Sequence, residues 1–207
     1  MRGGRNTYIL QETGNNIISM RIISGIFGGK RNPKKAPPGV RPTADAVRES
    51  IFNKLTNTID ITGLRCMDVF AGTGAMGFEA LSRGASHCTL IEKNRKTAQY
   101  IISSAEIFSI PEKDYNLIQM DALKALDLED IKKSRFELVF IDPPYYKNEM
   151  INPILEKMLH HSILSEDAVV TVEHSAMQGF ILPEGYGIID EKTFGETKVV
   201  FLINELM

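Results

Sequence analysis

Tryptophan is absent from the 207 residues, and only two cysteines occur, Cys66 and Cys88. Two thiols make neither a disulfide framework nor a zinc site. Both stand inside apolar runs that predict strands, so they read as small core residues of a protein in a reducing, cytoplasmic setting. No apolar run approaches the roughly 20 residues of a membrane-spanning helix. The polar start, MRGGRNTYILQETGNNIIS, lacks the apolar stretch of a secretory signal. The most informative lack is local: no acid occurs between Glu12 and Asp45. Residues 1–44 hold eight Lys/Arg and that one Glu, a balance of +7, whereas 45–207 hold sixteen bases and twenty-five acids, a balance of −9. The overall charge of −2 is an average over a basic arm and an acidic body. Such an asymmetry points to a polyanionic partner.

What is present suits a globular protein: 43% hydrophobic and 24% charged residues supply a sizeable core and exclude a disordered chain. The chain is expected to divide into a flexible leader at 1–19, a basic arm at 20–44 and a main domain with its leading helix at 45–207. Met20–Gly29 is short and β-prone, with Gly25, Gly28 and Gly29 allowing a turn, which predicts a small hairpin. The basic, proline-rich KRNPKKAPPGVRP that follows predicts an extended loop. Thr43 reads as an N-cap, with Asp45 in the first turn of an amphipathic helix over about 44–57 that carries Val47, Ile51, Phe52 and Leu55.

From there strand and helix alternate. Strands are predicted at 65–70, 87–92, 115–120, 136–142 and 168–173. Helices are predicted after AGTGAMG to about Arg83, over 94–108, briefly after Asp121, and from an Asn152 cap with Pro153 at the first position to about His161. Residues 187–194 and 197–204 form a terminal hairpin about Gly195-Glu196. The pattern is an α/β chain whose parallel sheet is covered on both faces and closed by an antiparallel strand.

Gly72, Gly74 and Gly77 form GxGxxG between the first strand and its helix, the context in which a nucleotide-like ligand lies over a helix N-terminus. Glu92, twenty residues past Gly72 and ending the second strand, is placed to accept both hydroxyls of a ribose. A nicotinamide dinucleotide and S-adenosyl-L-methionine both satisfy these features. Asp68, four residues before Gly72, tilts the balance, because an acid in this strand repels a pyrophosphate but complements an α-ammonium group. Asp121 either receives an adenine amine or caps the short helix that follows.

Asp142-Pro143-Pro144-Tyr145 follows the most apolar strand. Two prolines stiffen the segment and aim its carbonyls. An exocyclic base amine is a poor nucleophile; the Asp142 carboxylate and the Pro143 carbonyl can hold its two N–H bonds and point the nitrogen at a sulfonium methyl group. Tyr145 offers a stacking face. An incidental rigid turn is the plainer alternative.

DVFAGTGAMGFEALSRGA, IDPPY and MRIISG…RPTADAVRESIFNKL together resemble the RsmD family of 16S ribosomal RNA guanine-N2-methyltransferases, over Met20 to about Phe201. The resemblance implies a Rossmann-like class I methyltransferase with a seven-stranded mixed sheet of order 3-2-1-4-5-7-6 and a short N-terminal hairpin arm. It also implies S-adenosylmethionine as cofactor and a guanine of small-subunit rRNA as target, within the subunit or its assembly intermediate, with no obligate protein partner. The cofactor site is expected to draw on Asp68, Phe70, Gly72, Thr73, Gly74, Gly77, Glu92, Asp121 and Ala122. The reacting amine is expected at Asp142, Pro143, Pro144 and Tyr145. RNA contacts are expected from Arg21, Lys30, Arg31, Lys34, Lys35, Arg41 and Thr43, where a solvated loop is the alternative. Three other functions fit parts of the pattern: a DNA adenine or cytosine amino-methyltransferase, a nicotinamide-dependent oxidoreductase, and a non-catalytic rRNA-binding assembly factor. No metal site is expected, since His87, His174 and the cysteines lack ligand-like spacing, and His160-His161 suits a helix end.

Overall fold

The computed structural model describes residues 19–38, 40 and 44–206, so leader residues 1–18, Arg41 and Thr43 lie outside the described residues. The first helix, α1, spans Asp45–Thr58. It begins one residue later than expected, with Ala44 rather than Thr43 at the N-cap position and no side-chain cap; Asp45 supplies a carboxylate in the first turn. Then come β1 (Arg65–Asp68), α2 (Ala75–Ser82), β2 (His87–Ile91), α3 (Arg95–Phe108), β3 (Tyr115–Ile118), α4 (Ala122–Ala125), α5 (Glu129–Lys132) and β4 (Phe136–Ile141). A 3-10 turn over Tyr145–Met150 leads into α6 (Ile151–His160), followed by β5 (Leu164–Ser175), β6 (Tyr186–Phe194) and β7 (Thr197–Asn204). Among the described residues no helix is long and apolar enough to cross a membrane.

The seven strands form one sheet of order β3-β2-β1-β4-β5-β7-β6, as the resemblance implies. Pairs from β3 to β5 are parallel, and β7 runs antiparallel to both β5 and β6. Successive strand residues face opposite sides, and the core divides accordingly. Cys66, Cys88, Leu138, Phe140 and Val169 pack with Phe52 of α1, Phe78 of α2 and Phe108 of α3. Their neighbours Met67, Val139, Ile141, Val170 and Val172 pack on the other side with Ala125, Ile131, Ile154 and Met158 from α4 to α6. Both cysteines are free and buried, as expected.

Helix ends follow local chemistry where a side chain can reach. Asn94 Oδ1 accepts from the amides of Lys96 (2.9 Å) and Thr97 (3.2 Å) and starts α3. Asn152 does not cap α6. The preceding 3-10 turn runs directly into the helix, Met150 takes the N-cap position, and the Asn152 side chain instead bonds the backbone N–H and C=O of Ile181. Pro153 still sits in the first turn, where a missing N–H costs nothing.

The basic arm is packed onto the body. Met20 and Ile22 are buried in the same core as Phe52 and Phe78. The expected hairpin reduces to a single antiparallel bridge, Arg21 with Arg31. Its turn is held by Glu79 of α2, a fully buried carboxylate that accepts the amides of Ile23 (2.7 Å) and Ser24 (3.1 Å) and pairs with Arg83 (2.8 Å). Buried Arg48 completes the cluster, donating to Asp45 (2.9 Å) and the Arg21 carbonyl (2.8 Å) with Glu79 at 3.9 Å. Gly25 lies so close to α2 that a Cβ there would sit 1.8 Å from the Ser82 carbonyl oxygen, so no other residue fits. Farther along, Asn32 is buried and donates to Ser104 Oγ at 2.8 Å.

Candidate active site

A cavity of about 1050 Å³ opens at the carboxyl ends of β1 to β5, around the point where β1 and β4 are neighbours. Ligands in open α/β sheets bind at such a switch in strand order. Gly72 and Gly74 occupy left-handed backbone (φ +52° and +81°), which turns the chain sharply from β1 into α2. Gly77 serves packing: a Cβ there would lie 2.4 Å from Leu90 Cδ2 and 2.7 Å from Cys88 Sγ, so its absence lets α2 close on β2.

Three carboxylates mark successive depths of this cavity. Asp68, at the end of β1, is buried and accepts the Gly77 amide at 3.2 Å. Burial pushes its carboxyl up to about 7; the Gly77 amide opposes that shift, and the charges of Asp142 and Glu92 add to it. Glu92 accepts the Gly72 amide (3.0 Å) and the Asn94 amide (2.6 Å), which ties the glycine loop to the end of β2. Its carboxyl is also raised, by burial first, with the amides of Asn94, Gly72 and Lys93 pulling the other way. Asp121 stands at the N-cap position of α4 but makes no cap bond; its carboxylate meets Lys93 Nζ at 3.3 Å. Phe70, Thr73 and Ala122 line the same cavity, so its lining includes Asp68, Glu92, Asp121 and Gly72 together with these three. Gly74 shapes the turn beside it, and Gly77 lets α2 pack on β2.

Asp142, Pro143 and Pro144 line the cavity from the end of β4, the strand beside β1. The chain leaves β4 at Ile141 and enters the 3-10 turn at Tyr145, whose side chain lies outside the described residues. This places a rigid acceptor pair at the end of β4, close enough to Asp68 for the Asp142 charge to raise its pKa. The lining suits a cationic amino-acid nucleoside: an ammonium against Asp68, ribose hydroxyls at Glu92 and an amine at Asp121. It suits a dinucleotide poorly, because Asp68 and Glu92 flank the loop where a pyrophosphate would sit.

The cations of the arm divide into two groups. Arg21 pairs with Asp45, Lys30 donates to the Phe108 carbonyl and lies over the Phe27 ring, and Arg31 donates to Ser19 Oγ. Lys34 and Lys35 are exposed, with Val40, a few residues on, lining the cavity mouth. No group of three or more His, Cys, Asp or Glu that could hold a metal ion occurs among the described residues.

The cavity also includes residues that sequence reasoning passed over: Glu173, two residues before the end of β5, and Phe194 and Thr197 at the tip of the β6–β7 hairpin. A signal for Glu173 was available. Asp68, Glu92, Asp121 and Asp142 are each the acid just at or after a parallel strand, and AVVTVE ends the same way.

Residues 20–203 match the family described as conserved hypothetical protein 95. The chain is 31% identical to ribosomal RNA small subunit methyltransferase D of Haemophilus influenzae, over 85% of this chain and 89% of that one. It is 32% identical to the protein of the same name in Escherichia coli K12, over 86% of each. The solved structure of the yhhF protein of Escherichia coli superposes with a TM-score of 0.79 at 28% identity, covering 91% of this chain and 99% of that one.

Proposed function

The chain belongs to the RsmD family, and on that premise we propose that it transfers a methyl group from S-adenosylmethionine to the exocyclic N2 amine of a guanine in small-subunit rRNA. The observation that carries this reading is one cavity lined by Asp68, Glu92 and Asp121 together with Asp142-Pro143. When bound, the cofactor supplies a methyl group already activated on a sulfonium. The protein's own task is then orientation. Asp142 and the Pro143 carbonyl accept the two N–H bonds of the amine and aim its nitrogen lone pair, a kind of contribution worth about 7–11 kcal/mol at best. As the new N–C bond forms, one amine proton passes to the Asp142 carboxylate or to water. Tyr145 stacks on the base, worth about 1–3 kcal/mol. The base must leave its stack to reach this depth, at lower cost from a loop than from a duplex.

The test is methylation of small ribosomal subunits with labelled cofactor, followed by mapping of the modified nucleotide. N2-methylguanosine at one site in the RNA is expected. Label in adenine or cytosine, or tight binding of NAD(H) with none of S-adenosylmethionine, overturns the reading.

Asp68 makes cofactor binding pH-dependent. Its folded-state pKa lies above the ordinary carboxylate value, so the protein without cofactor loses stability as pH rises toward about 7. A cation beside Asp68 favours the ionised form and reverses that penalty. Affinity should therefore climb as pH rises to about 7 and level off above it. Calorimetry at pH 6 in buffers of different ionisation enthalpy should show release of up to about one proton on binding, and none in Asp68→Asn.

Lys34 and Lys35 are the arm cations proposed to meet RNA phosphates. Neutralising both should lower the slope of log affinity against log salt by about 1 per lysine. An unchanged slope removes them from the RNA interface.

A further inference from the structure

An Asp-Pro-Pro-Tyr clamp grips an amine, and adenine, cytosine and guanine all carry one, so the clamp by itself does not choose the base. Glu173 is positioned to do so. In the β4–β5 register Ile141 pairs with Val172, and both side chains belong to the core on the α4–α6 side. One residue farther on, Asp142, just past β4, and Glu173, within β5, come to the opposite face on adjacent strands, which lie about 4.8 Å apart. Both line the active cavity. Both bring carboxylate oxygens to the lining of the cavity, at the place where the target base must lie.

Guanine is the base whose amine at C2 stands next to a ring N–H donor, at N1. Adenine and cytosine present a ring acceptor beside their amines, and a carboxylate repels it. We propose that Glu173 is the specificity-determining residue, accepting the N1–H of the target guanine while Asp142 accepts from its N2 amine. The inference rests on the guanine-N2 reading above and deepens it. Thr197, on the hairpin strand that pairs with β5, and Phe194, opposite it across the hairpin, line the same cavity.

The experiment uses small subunits reconstituted with either guanosine or 2,6-diaminopurine at the mapped nucleotide. The second base keeps the C2 amine but has an acceptor at N1. The parent chain should favour guanosine in kcat/KM on the order of a hundredfold. Glu173→Gln, whose amide can donate to that acceptor, should shrink the preference at least about tenfold. Glu173→Asp, with the carboxylate withdrawn by one methylene, should lose rate on guanosine while keeping the preference. Equal loss on both bases in Glu173→Gln, or an unchanged ratio, overturns the assignment of Glu173. A parent chain that leaves guanosine unmethylated overturns the underlying reading instead, and this proposal with it. A Gln variant that fails to bind S-adenosylhomocysteine is misfolded; a parent chain with no preference for guanosine then still sinks the proposal.

Discussion

Alanine at position 142 should lower methyl transfer by about 10²–10⁴-fold while leaving cofactor affinity near that of the parent chain. Asp142 is the residue proposed to hold the target amine, so its removal should take an acceptor from that amine while Glu92 and Asp121, proposed to hold the cofactor, stay in place. Single-turnover transfer and calorimetry with S-adenosylhomocysteine separate the two quantities. Asn in place of Asp142 keeps an acceptor oxygen and discards the charge, and should lose less. The difference between the two variants measures how much of the effect is orientation. If Asp142→Ala weakened cofactor binding as much as transfer, Asp142 would be a structural support of the cavity.

The largest effect on stability is expected from Glu79→Ala. Glu79 has no exposed surface, and its two oxygens serve the Ile23 and Ser24 amides and the Arg83 side chain. Arg48 is buried alongside; burial pulls its pKa below the ordinary value, while Asp45 and Glu79 pull it back. Removing the carboxylate leaves buried guanidinium charge with less compensation, a change that costs about 3–5 kcal/mol in such settings. Two arm amides lose their acceptor at the same time. Urea unfolding gives the magnitude, and limited proteolysis between Met20 and Lys35 shows whether the arm has lifted. A loss below about 1 kcal/mol would mean that burial of Met20 and Ile22 alone holds the arm.

The parts legible in the sequence were those decided by neighbours in the chain. β7 falls at Thr197–Asn204 as the hairpin about Gly195-Glu196 predicts, and Asn94 caps α3 because the amides it serves are two and three residues away. The failures are equally local in origin. Asn152-Pro153 has the composition of a helix start, but a 3-10 turn feeds the helix from upstream and leaves Asn152 to hold Ile181, twenty-nine residues distant. What pattern does not reveal is partnership across the fold. Glu79 reads as one acid in a helical run, and its value comes from amides more than fifty residues earlier. The basic arm read as a surface for phosphates, whereas Arg21, Lys30 and Arg31 spend part of their donor capacity on the protein itself. Glu173 went unnoticed because its strand lacks a glycine loop or a proline pair to draw attention to its end.

The carboxylates that rim the cavity also bear on turnover. Methyl transfer converts a sulfonium into a neutral thioether, so one positive charge leaves the cofactor while Asp68, Glu92, Asp121, Asp142 and Glu173 remain around it. The attraction that draws the charged cofactor in is weaker for the spent one. A rim of acids thus gives the catalytic cycle a direction: the enzyme empties more readily after the reaction than before it, with no moving part required.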